Sequence, residues 1–117
     1  MTDRSKAGAA LNPGTRRYLF LTLPNYTMIA LASAIDALRM ANRASRREAY
    51  TWSLVTLDGR PASASNGLQM APTTALEQAG AADIVFVVGG VQVEKAVNPS
   101  LLAALRRLAQ KRVPLGS

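Results

Sequence analysis

The chain has 117 residues, 49% of them hydrophobic and 18% charged, the composition of one small globular domain rather than of a disordered segment. It contains no cysteine and no histidine, which excludes disulfides, a thiolate nucleophile, zinc chemistry and a Ser-His-Asp triad within these residues. Lys plus Arg number 14 against 7 Asp plus Glu, a net charge of +7 that raises the question of a polyanionic partner.

The first fifteen residues, MTDRSKAGAALNPGT, lack the continuous apolar core of a signal peptide and are expected to form a flexible tail over 1–15. No apolar run approaches the roughly 20 residues that cross a bilayer, so the expected location is cytoplasmic. RRYLFLTL (16–23) has a strand's length and apolar content, closed by Pro24-Asn25. In the next segment Met28, Leu31, Ile35 and Leu38 recur at helical spacing, with Asn25 or Thr27 as candidate cap. Asp36 stands three residues before Arg39, the spacing of a local ion pair.

AYTWSLVTLDG (49–59) alternates like a strand and turns at Asp58-Gly59. Asn66-Gly67, within 62–72, predicts a tight turn in a small β-excursion outside the core. Thr74-x-x-Glu77 has the form of a capping box, predicting a short helix that Gly80 closes. ADIVFVVGG (82–90) is the uninterrupted apolar run of a parallel strand covered on both faces. Asn98 as cap and Pro99 at the first position open a helix to Arg112, with Leu101, Leu105 and Leu108 on one face. Val113-Pro114-Leu115 begins another strand.

Strands alternating with helices predict an α/β fold: a partial doubly wound, flavodoxin-like, three-layer parallel sheet with helices on both faces. Three full strands and the start of a fourth are expected to be the first part of a larger domain. The basic residues fall in separate groups, Arg16-Arg17, Arg43 with Arg46-Arg47, and Arg106-Arg107 with Lys111-Arg112. The last two groups sit near helix C-termini, where the helix dipole favours cations. They are therefore read as solvated helix ends in preference to a DNA-binding stripe.

Ligands of open α/β sheets bind beyond the carboxyl ends of the strands, here Leu23-Pro24-Asn25, Leu57-Asp58 and Val88-Gly89-Gly90-Val91. Gly89-Gly90 either lets backbone N–H groups approach a ligand or merely supplies positive φ in a turn. Neither G-x-G-x-x-G nor G-x-x-x-x-G-K-[ST] occurs, which removes the usual nucleotide sites. Glu94 is read as an exposed loop acid in preference to a cation ligand.

Four segments, FLTLPNYTMIALASAIDALRMANR, YTWSLVTLDGRPASASNGLQMAP, ADIVFVVGG and LLAALRRLAQKRVPLG, resemble in order and spacing the N-terminal domain of GlxA-type, AraC-family transcriptional regulators. That domain is related to the ThiJ/PfpI and class I glutamine amidotransferase superfamily. The resemblance runs from about residue 17 to the end. It implies a ligand-binding domain over 16–117, a nucleophile elbow after the strand beginning at Val113, and a C-terminal helix-turn-helix DNA-binding domain, the last two lying beyond this chain. It implies ligand-binding positions at Pro24, Asn25, Gly89, Gly90 and Val91, with no catalytic residue, metal or cofactor. Enzyme members place an acid early in the first helix; the matching stretch here is MIALAS, with Ala30 near that place.

The expected function is small-metabolite sensing for a DNA-binding regulator, the effector being amino-acid-like or a quaternary ammonium compound and the protein a homodimer. The competing readings are a fragment of a ThiJ/PfpI-type cysteine hydrolase or amidase lacking its nucleophile, and a module whose open sheet edge associates with another chain.

Overall fold

The structure, a computed structural model, describes residues 14–90, 98–110 and 115–116. The elements are β1 (Arg16–Thr22), α1 (Met28–Ser45), β2 (Tyr50–Thr56), β3 (Thr74–Ala75), a single 3-10 turn (Leu76–Gln78), β4 (Ile84–Val88), α2 (Pro99–Gln110) and β5 (Leu115–Gly116). They build a five-stranded sheet in the order β3-β2-β1-β4-β5, parallel at every pairing. With the two-residue β3 set aside at the edge, the order runs second, first, third, fourth, the doubly wound arrangement anticipated from the alternation of elements. The order reverses between β1 and β4.

β1 is apolar over Tyr18–Leu21, where both of its faces are covered. Leu19 and Leu21 point to one side and pack with Val55, Val85, Leu101 and Ala104, so that α2 lies on this face. Phe20 points to the other, with Tyr26, Leu31, Ala64 and Val88, joined by Ile35 and Leu38 of α1. The helices thus occupy opposite faces and make the third and first layers.

Asn98 caps α2 as its sequence position suggests: its Oδ1 accepts the Leu101 N–H at 2.8 Å, and its carbonyl accepts that of Leu102 at 3.0 Å. Asp36 and Arg39 form their ion pair at 3.2 Å. The turn at Asn66-Gly67 is present, with Gly67 at φ +85° and the Asn66 Oδ1 accepting the Leu68 N–H at 3.0 Å. The segment around it forms only isolated bridges, Ser63 to Gln69 and Ala64 to Tyr26, and stays outside the main sheet.

Two local expectations are corrected. Thr74 does not open a helix; it lies in β3, paired in register with Val55, and the following turn is a single 3-10 turn without a side-chain cap. The unpaired edge of β2 competes for the same backbone groups and wins, and Glu77 meets Arg107 at 2.9 Å instead of reaching back. Thr27 occupies the N-cap position of α1 without a side-chain capping bond, its hydroxyl lying against Gly90. The start of the expected fourth strand is described at Leu115–Gly116, beside Val85 and Phe86; residues 113–114, the tail over 1–13, Val91 and Glu94 lie outside the described residues.

Thr51 is 5% exposed, and its hydroxyl has no hydrogen-bond partner among the described residues. Thr51→Val keeps the shape and removes an unsatisfied buried hydroxyl. It is expected to raise stability by about 1 kcal/mol, read as a higher urea midpoint at unchanged slope.

Candidate functional site

The reversal of strand order between β1 and β4 opens a crevice at their carboxyl ends, and the loops that follow them are stitched together there. Thr22 is in register with Val88, the Leu23 N–H donates to the Val88 carbonyl at 3.1 Å, and the Thr27 N–H donates to the Gly89 carbonyl at 2.9 Å. Pro24 and Asn25 are exposed at the crest of the first loop, so that Pro24, Asn25, Gly89 and Gly90 form one continuous rim. Asn25 holds φ +66°, a left-handed conformation that asparagine tolerates better than most residues. Its N–H donates to the Ser63 carbonyl at 2.8 Å, and Ser65 N–H donates to the Tyr26 carbonyl at 2.9 Å. The 62–70 excursion is thereby laid along the β1–α1 loop as a side wall.

Gly90 has a reason for being glycine that differs from both sequence readings. It has no positive φ, yet a Cβ there would fall 2.5 Å from the Asn25 carbonyl oxygen and 2.8 Å from Thr27 Oγ1. The residue lets two loop backbones touch. The Gly89 carbonyl is also engaged, by the Thr27 N–H.

Two clefts open beside the rim. One, of about 500 Å³, is apolar and lies between α1 and β4, lined by Leu23, Ala30, Ala34, Phe86, Val87, Val88 and Gly89. Ala30 thus lines this cleft, and no carboxylate is among its described lining residues. The second, of about 520 Å³, opens over the ends of β1 and β2, where Pro24 meets Thr22, Thr56, Asp58, Arg60, Ala62 and Asn98. Asp58 is held below its ordinary pKa, first by the Arg60 N–H that donates to its Oδ1 at 3.0 Å, with the Arg60 guanidinium at 3.3 Å from Oδ2. Asp58, Arg60 and Asn98 were not among the binding positions expected from sequence. Asp58-Gly59 at a strand end was the visible signal for the first of them, whereas Asn98 arrives from a segment 40 residues further on.

No protein-family model matches the chain. The HTH-type transcriptional regulator GbdR of Pseudomonas aeruginosa is 44% identical over 98 residues, 84% of this chain and 27% of that protein. The HTH-type transcriptional regulator CdhR of the same organism is 38% identical over 99 residues, 85% of this chain and 29% of its own length. The chain is thus similar in sequence to HTH-type transcriptional regulators. It spans somewhat over a quarter of the length of these relatives. Among solved structures, an AraC family transcriptional regulator from Pseudomonas putida superposes with a TM-score of 0.72 at 24% identity, covering 86% of this chain and 62% of that one. A DJ-1 superfamily protein from Agrobacterium tumefaciens gives 0.57 at 21% identity, covering 86% and 51%. The fold of this chain is thus shared by the Pseudomonas putida regulator and by the DJ-1 superfamily protein.

Proposed function

We propose that this chain is the effector-sensing domain of an AraC-type transcription regulator, working in the cytoplasm as part of a homodimer and reaching its operator through a helix-turn-helix domain. The observation that carries the reading is Ala30. The rim of Pro24, Asn25, Gly89 and Gly90 encloses a crevice with an apolar cleft at its side, and the helix position beside it holds a methyl group. An apolar cleft with no carboxylate among its described lining residues gives a nucleophile nothing there to orient or deprotonate it, which favours binding over turnover. The domain is thus a sensor and not an enzyme.

Val91, which follows the rim in sequence, is assigned to the same pocket. The effector is amino-acid-like or a quaternary ammonium compound. Asp58 and Arg60 set opposite charges on the edge of the second cleft, which suits a zwitterion, and the apolar wall of Ala30, Ala34 and Phe86 suits its alkyl groups. Occupation of the pocket acts by preferring one of two arrangements of the sensor over the other.

The test is a reporter driven by the operator of the regulator that contains this domain, challenged with a panel of zwitterionic and quaternary ammonium metabolites. A compound that changes expression, and whose effect is abolished by Ala34→Trp, which fills the apolar cleft, supports the reading. Catalytic turnover of any panel compound by the same protein overturns it.

A further inference from the structure

We infer that the pole of the domain opposite the effector crevice is a docking surface for the phosphate backbone of duplex DNA, formed by Arg16, Arg43, Arg46 and Arg47. The inference rests on the regulator reading and adds to it a contact made by the sensor itself. From sequence these arginines fall in two separate groups, of which Arg43 with Arg46-Arg47 was attributed to a helix end. The fold brings them together at the amino-terminal end of the sheet.

The gathering follows from named contacts. Asn42 ties the end of α1 to the start of β2: its Nδ2 donates to the Tyr50 carbonyl and its Oδ1 accepts the Tyr50 N–H, both at 2.9 Å. Arg16 is in register with Tyr50, and its N–H donates to the Ala49 carbonyl at 2.9 Å. It shares the sheet face of Tyr18 and Phe20, the face that α1 covers. Arg46 and Arg47 close α1 by donating to the Arg43 and Asn42 carbonyls at 3.3 and 3.2 Å. The Arg47 guanidinium lies against Gly14, two residues before Arg16.

The helix dipole does not account for this set. Only Arg43 belongs to the last turn of α1; Arg46 and Arg47 lie past it, and Arg16 is on a strand. All four side chains are exposed, or on exposed residues, and none has an ion-pair partner among the described residues. Glu48 is the single carboxylate in the cluster, which leaves four cations to one acid. Elsewhere Asp36 pairs with Arg39, Asp58 with Arg60 and Glu77 with Arg107, while Asp83, at the same end of the sheet before β4, is engaged by the Arg17 backbone N–H at 2.7 Å. An excess of guanidinium groups on one pole repels itself and is matched by a polyanion, and arginine's fork suits phosphate oxygens. The relatives are HTH-type regulators, whose working place is on duplex DNA, so a phosphate row adjoins the domain whenever the operator is bound.

The experiment is the salt dependence of binding of the full 117-residue chain to a labelled non-operator duplex. Four phosphate contacts give a log–log slope of about −3.6, roughly a hundredfold loss of affinity between about 50 and about 200 mM salt. The variant R43Q/R46Q/R47Q is expected to keep its circular dichroism spectrum and to reduce the slope to about −0.9, a loss of roughly fourfold over the same range. Arg16→Gln alone is expected to lower the slope by about 1, and serves if the triple variant does not fold. Arg107→Gln, whose charge is paired with Glu77, is expected to leave it unchanged. A folded triple variant with the wild-type slope overturns the inference, as does the absence of any binding at about 50 mM salt, where such contacts are strong. Tighter binding to phosphatidylserine vesicles than to duplex overturns the assignment to nucleic acid. None of these results touches the effector-controlled reporter, so the sensor reading stands or falls separately.

Discussion

Tyr26→Ala is expected to lower the stability of the chain by about 4 kcal/mol, enough to remove much of the margin of a domain this size. Tyr26 is 1% exposed and sits at the junction of three things: the end of β1, the start of α1 and the 62–70 excursion. Its ring fills the core between Phe20, Leu31, Ala64 and Val88. Truncation leaves a cavity that the surrounding strands cannot close, because β1 is fixed on both sides by parallel pairing. Its phenol also lies within hydrogen-bond reach of the Met70 backbone, and burial pushes its pKa up. Tyr26→Phe isolates that contact and is expected to cost about 1 kcal/mol. Urea unfolding followed by far-UV circular dichroism separates the two. A loss below about 1 kcal/mol for the alanine variant would mean that the excursion is not held by this residue. The alanine variant should also become sensitive to proteolysis near Asn66-Gly67, the exposed turn whose far side Tyr26 anchors.

What could be read in advance divides along a physical line. Signals whose cause lies within a few residues were legible. Asn98 caps α2 because its accepting side chain and the donating Leu101 N–H are three residues apart, and Asp36 meets Arg39 at the same spacing. The parallel sheet was legible because burial on two faces writes itself as unbroken apolar runs at 18–21 and 84–88. Features decided by a partner distant in the chain were not. Thr74 and Glu77 have the spacing of a capping box, but Thr74 is 19 residues from the strand residue it pairs with, and nothing local announces that pairing. The same holds for the second cleft, where Asn98 joins Pro24 and Asp58 only because α2 begins above the ends of β1 and β2. It holds too for the arginine pole, scattered through 16–47 and assembled by the Asn42–Tyr50 contact. Arg17, neighbour of Arg16, shows the converse. Its guanidinium turns inward, donating to the Ala79 and Ala81 carbonyls at 2.6 and 2.7 Å, and is structural.

Gly90→Ala is the second large effect expected, about 2 to 3 kcal/mol of destabilisation together with loss of effector response. The added Cβ would meet the Asn25 carbonyl oxygen at 2.5 Å, Thr27 Oγ1 at 2.8 Å and the Thr27 nitrogen at 3.0 Å. Two of these are backbone atoms of a loop pinned by the Thr27–Gly89 and Asn25–Ser63 hydrogen bonds, so the strain cannot be relieved by a side-chain rotation. One loop must move, and both loops form the rim of the crevice. Gly67 supplies the comparison. A Cβ there meets nothing within 4 Å, but the residue sits at φ +85°. Gly67→Ala therefore costs only its backbone conformation, about 1 kcal/mol, and Gly67→Asn less, since asparagine accepts left-handed φ. Gly90→Asn gains nothing of the kind, because its cost is space. Thermal melts of the four variants distinguish the two causes: asparagine rescues position 67 and fails at position 90. Equal behaviour at the two positions would show that Gly90 is a turn glycine after all. The reporter then reads the functional half, since displacement of the Asn25–Thr27 loop opens the wall of the pocket while leaving α1, α2 and the sheet in place.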